Sequence, residues 1–90
     1  MIKYKIDVLT ELKKKGFSSA TARDTGTFSQ SSMIKFAKGD ATISLDNLNR
    51  LCAILELEPK DIIAYEETEQ DARLREYKKS IRALNSVKNS

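Results

Sequence analysis

Gln30, Ser31 and Ser32 stand directly behind Ser29, and Lys35 and Lys38 follow them around the apolar pair Met33 and Phe36. Placed on a helix, this spacing turns Met33 and Phe36 inward and gathers an amide, hydroxyls and two ammonium groups outside. A carboxamide donates and accepts at once, so Gln30 can bridge N6 and N7 of an adenine. The serine hydroxyls can donate or accept at several bases, Lys35 can reach guanine or a phosphate, and Lys38 suits a phosphate. This is recognition chemistry, and the bond-making kinds are missing. The chain has no histidine and a single cysteine, Cys52, which excludes imidazole catalysis, a Cys/His zinc site and an internal disulfide. Cys52 sits between Leu51 and Ala53 and reads as a packed, inert thiol. Asp61, Glu66, Glu67 and Glu69 have no cofactor motif, phosphate-cradling glycine loop or nucleophile beside them. No catalytic residue, metal or cofactor is expected.

Ninety residues and 10.2 kDa suit one small domain with or without an appendage. Charged residues make up 32%, above the roughly 25% of an average globular chain. No apolar run approaches the roughly 20 residues that span a bilayer, and no long apolar segment follows the N-terminus, so the expected location is cytoplasmic. The net charge of +3 is unevenly spread. Residues 1–40 carry eight Lys/Arg against four acids, residues 41–70 two against seven, and residues 71–90 six against two. A basic N-terminal half beside an acidic stretch suits one face that meets a polyanion and another that does not.

The elements that must position those side chains read as helices nearly throughout. Ile2, Ile6, Leu9 and Leu12 give one apolar face to a helix from about Lys5 to Lys15, which Gly16 ends. Lys13, Lys14 and Lys15 complement the dipole at that end. Ser18 can cap a short second helix over about Ser19 to Asp24, with Ala20 and Ala22 as its inward side chains. Thr25 to Phe28 reads as a turn, Ser29 as the cap of a third helix from Gln30 to Lys38, and Gly39 as its stop. Ser44 precedes Leu45, Leu48, Leu51, Cys52 and Leu55, the strongest amphipathic run in the chain. Pro59 fits the first position of a fifth helix that buries Ile62, Ile63 and Tyr65. Beyond Thr68, itself a candidate cap, Leu74, Tyr77, Ile81 and Leu84 form a narrow seam on a polar helix, with Glu69–Arg73 and Asp71–Arg75 as i, i+4 ion pairs. The division is a domain over 1–67 and a C-terminal helix over 68–90.

A short helix, a turn and a polar-faced third helix make a helix-turn-helix, whose second member enters the DNA major groove. Residues 2–67 also resemble the Cro/XRE-type, lambda-repressor-like helix-turn-helix domains of small bacterial and phage regulators. The resemblance is carried by Tyr4-Lys5-Ile6-Asp7-Val8-Leu9, Lys15-Gly16-Phe17-Ser18, Lys38-Gly39-Asp40, Ile43-Ser44-Leu45-Asp46-Asn47-Leu48, Leu51-Cys52 and Pro59-Lys60-Asp61-Ile62-Ile63, in this order and spacing. It implies an all-α, five-helix DNA-binding domain, commonly dimeric, acting as a transcriptional regulator, with repression the expected sense. Where that superfamily often has an Ala and, four residues on, a Gly ahead of the reading helix, this chain offers Ala22 and Gly26, or Arg23 and Thr27 counted back from Met33.

The expected contacts to double-stranded DNA are Ser29, Gln30, Ser31, Ser32, Lys35 and Lys38, with Ser18 and Arg23 meeting phosphates from the second helix. Lys3 and Lys5 can lie along the backbone as an arm. Leu74, Tyr77, Ile81 and Leu84 are expected to pair two subunits or to fold back on the domain. A two-fold dimer would hold two reading helices about 34 Å apart over a palindromic site. The alternative is a helix-turn-helix-derived protein-interaction module, such as a phage inhibitor or antirepressor, suggested by the weak second helix and the acidic middle segment. A third possibility gives the C-terminal seam a purely oligomerising task.

Overall fold

The computed structural model describes residues 1–76. Tyr77, Ile81 and Leu84 of the expected seam lie outside the described residues. The order is β1 (Ile2–Tyr4), α1 (Val8–Lys14), α2 (Ser19–Thr25), α3 (Gln30–Lys38), α4 (Leu45–Leu55), α5 (Pro59–Ile62) and β2 (Ile63–Tyr65), with a further helical stretch over 69–76.

Serine and aspartate chemistry sets most of the starts. Asp7, Ser18, Ser29 and Ser44 each turn a side-chain oxygen onto a backbone N–H three residues on, satisfying a donor the helix itself cannot. Glu58 and Asp61 exchange the reciprocal bonds of a capping box around Pro59. Thr68 and Asp71 do the same at the start of 69–76. The ends of α2 and α3 are left-handed at Gly26 (φ 68°) and Gly39 (φ 72°). There Thr27 N–H reaches the Ala22 carbonyl and Asp40 N–H the Lys35 carbonyl, closing each last turn.

The fold is mostly helical, and the expectation of an all-α chain is corrected by a two-stranded antiparallel sheet. Ile2 pairs with Tyr65, Lys3 with Ala64 and Tyr4 with Ile63. The first helix therefore starts at Val8, because Asp7 caps it and the preceding residues are extended. Ile63 and Tyr65, expected on the fifth helix, belong to β2; Ile63 is half-buried and Tyr65 exposed. Lys3 and Lys5 form no arm: Lys3 pairs with Glu66 at 2.9 Å, and Lys5 Nζ donates to the Lys60 carbonyl at 2.9 Å.

The core is Val8, Leu12, Ala22, Phe28, Met33, Phe36, Leu48, Leu51, Leu55 and Ile62. It forms where α1 meets α3 and α4 and where α2 meets α3. Other residues expected inward are outside it: Ile2 and Ala20 are exposed, and Leu45, in the first turn of α4, is 83% exposed. Phe28, expected in the turn, is buried and meets Phe36 edge to face, with ring centroids 5.2 Å apart. Cys52 is half-buried against the core, as expected. In 69–76, Glu69 and Arg73 pair at 3.2 Å. Asp71 instead takes the amino group of Met1, and Arg75 pairs with Glu67.

Candidate nucleic-acid interface

The third helix divides its polar residues between two environments. Met33 and Phe36 anchor it, and Gln30, Ser31 and Lys38 are exposed. Ile34 is 46% exposed on the same outer side. Ser32 is turned inward at 8% exposure. Its hydroxyl accepts from Ser29 at 3.0 Å and from the Asn47 amide at 2.8 Å, so it joins α3 to α4 and does not extend the outer face. Ser29 spends its hydroxyl on the helix cap and on its neighbours Ser31 and Ser32.

Around that first turn, Arg23 and Gln30 line one cleft together with Ser19 and Ala20. A second cleft brings Arg23 and Gln30 beside Thr27, Ser29, Asp46, Asn47 and Arg50. The Arg23 guanidinium is largely exposed, 3.9 Å from Asp24. Neither α2 nor α3 carries an acidic side chain in its first turn. The Ser18 hydroxyl, at the start of α2, accepts from the Thr21 backbone N–H and bonds to the Thr21 hydroxyl.

At the far end of α3 the lysines differ. Lys35 Nζ donates to the Thr42 carbonyl at 2.6 Å and so ties the helix to the loop that follows. Lys38 lies exposed near Asp40. The Thr42 hydroxyl and N–H hold the Asp40 carboxyl below the usual carboxylate range, and the charges of Lys35 and Lys38 act in the same direction. The Tyr4 hydroxyl donates to the Asp40 carbonyl at 3.0 Å, linking β1 to the end of α3. Burial, aided by the Asp40 charge, pushes that phenol up to about 12.

Sequence reasoning missed the part played by α4. Arg50 Nη1 donates to the Thr27 carbonyl at 2.5 Å, and its Nη2 is 3.2 Å from Asp46. Asp46 and Arg50 are an acid-before-base pair at i, i+4, a signal present in the sequence. Of the two registers open before α3, Ala22 and Gly26 have the matching environments. Ala22 is fully buried and Gly26 left-handed, while Arg23 is exposed.

The model of the Cro/C1-type HTH DNA-binding domain matches residues 1–68. The chain belongs to this Cro/C1-type helix-turn-helix family. No curated protein and no solved structure gives a match to it. In this Cro/C1-type domain, α2, the Gly26 turn and α3 make up the helix-turn-helix. Membership supports DNA binding in a regulatory setting. Among the described residues no group of three or more His, Cys, Asp or Glu is placed to hold a metal ion, and no helix is long and apolar enough to cross a membrane.

Proposed function

We propose that the protein is a sequence-specific, double-stranded DNA-binding transcriptional regulator, acting as a repressor, with α3 as the reading helix in the major groove. The observation that carries this reading is the split of α3. Gln30 and Ser31 are exposed at its N-terminal end, while Met33, Phe36 and Ser32 are committed to the domain. The groove admits one helix, and short or amide side chains in its first turn can reach base edges. Gln30 suits adenine, Ser31 several bases, and Ile34 the methyl group of thymine. Arg23, Lys38 and the capped starts of α2 and α3 at Ser18 and Ser29 supply phosphate contacts, with Lys35 reaching the backbone once it leaves Thr42. The protein would act in the cytoplasm by binding, without catalysis or cofactor.

The working division is a DNA-binding domain over 1–67 and a C-terminal element over 68–90 that makes a homodimer. Leu74, at 66% exposure, supports that role, and Tyr77, Ile81 and Leu84 continue its spacing. A second reading, a protein-interaction module that has left DNA, is favoured by the exposed apolar side chains Ile34 and Leu45.

Selection from a random duplex library at about 0.1 M salt, where phosphate contacts alone still allow nonspecific binding, tests the proposal. Enrichment of a two-fold symmetric sequence with half-sites about 10 base pairs apart is expected. Retention of duplexes without any enriched sequence would overturn specific recognition, and no retention would favour the protein-interaction reading.

A further inference from the structure

We infer that Arg50, held by Asp46, is a positioning residue for the reading helix and through it a determinant of sequence specificity. The inference rests on the proposed role of α3. Arg50 stands on α4 and touches the turn that launches α3. One edge of its guanidinium donates to the Thr27 carbonyl at 2.5 Å, and another nitrogen lies 3.2 Å from the Asp46 carboxylate. A planar fork of donors can hold a carbonyl and a carboxylate in one orientation, which a single ammonium does less well. One residue from Asp46, Asn47 donates to Ser32 on α3 at 2.8 Å. The first two turns of α4 thus hold the approach to α3 and its first turn from outside, Arg50 at Thr27 and Asn47 at Ser32, while Phe28 holds the same turn from inside.

This arrangement has a direct consequence for reading bases. A bidentate side-chain contact tolerates shifts of only about 0.5 Å, so the groups that orient the helix matter as much as those that touch the base. Arg50 also lies in the same cleft as Arg23 and Gln30, where a phosphate ligand would be an ordinary use of an arginine. Asp46 separates the two roles. A carboxylate beside the guanidinium orients it for positioning, but repels a phosphate.

Two variants, Arg50→Ala and Asp46→Asn, separate positioning from phosphate binding when measured on the selected duplex and on an unrelated duplex across a salt series. Positioning predicts that both weaken the selected duplex about tenfold, the size of one lost base contact. Binding to the unrelated duplex and the salt slope of both variants should stay as in the parent, with their thermal midpoints showing that both fold. Tighter binding of Asp46→Asn to every duplex, or a salt slope of Arg50→Ala shallower by about 0.9, would make Arg50 a phosphate ligand and overturn the inference. Parent-like binding by both variants would overturn it as well. If the parent selects no sequence, the DNA reading fails by itself, and the amide spectrum of the free protein decides. Arg50→Ala is then expected to displace the signals of residues 27–31, and an unchanged spectrum there would overturn the positioning role.

Discussion

Phe28 meets Phe36 edge to face, with ring centroids 5.2 Å apart and ring planes at 88°, and this pair fixes the turn of the helix-turn-helix to its second helix. Alpha2 contributes only Ala22 to the core, so the apolar anchor between the two helices is supplied by the turn. Phe28 is also two residues ahead of α3, the outer position of a hydrophobic staple whose inner position is Met33, and both are buried.

Phe28→Ala is therefore expected to cost about 3–5 kcal/mol, as for a large aromatic removed from a core. Phe36→Ala should cost a similar amount, and the two together less than their sum by about 0.5–1.5 kcal/mol of ring–ring coupling. Urea denaturation of the two single variants and the double variant measures this. Full additivity would contradict the pairing.

How much of this was legible in the sequence depended on how local the chemistry was. Ser18, Ser29 and Ser44 were readable as caps because an N-cap bonds within three residues, and Gly39 because a left-handed residue ends a helix wherever it stands. The sheet was not readable in the same way. Ile2, Tyr4 and Ile6 alternate with Lys3 and Lys5, a strand pattern that also fits one side of a helix, and the deciding partners, Ile63 to Tyr65, are some sixty residues away. Leu45 continued the apolar spacing of α4 one turn beyond the point where the helix meets the core. Ser32 looked equivalent to Ser31 until its partner, Asn47, came from another helix.

Ser31→Ala and Ser32→Ala should accordingly separate. Ser32→Ala leaves the Asn47 amide without its acceptor and is expected to lower stability by about 1–3 kcal/mol. Ser31→Ala, on the exposed face, should stay within about 0.5 kcal/mol of the parent in stability and alter binding instead. Denaturation curves and sequence selection on both variants check this; the reverse assignment would contradict the inward orientation of Ser32.

The Tyr4 phenol gives the fold an alkaline dependence. Its folded value is raised from 10.0 to about 12, so its contribution is fully present below about pH 10 and is lost as the pH rises from there through about 12. Tyr4→Phe removes the bond to the Asp40 carbonyl together with that titration. The variant should be less stable at neutral pH and lose less on going to alkali. Denaturation midpoints from pH 8 to 12 test this, and parallel declines for parent and variant would count against the linkage.

The claim that α3 reads bases through its first turn is tested most directly by running the random-duplex selection in parallel with the parent and with Gln30→Ala. The account predicts the same half-site spacing for both proteins and loss of preference at one base position in each half-site. That change should correspond to about 1–3 kcal/mol of discrimination. Identical enriched sequences from the two proteins would contradict it.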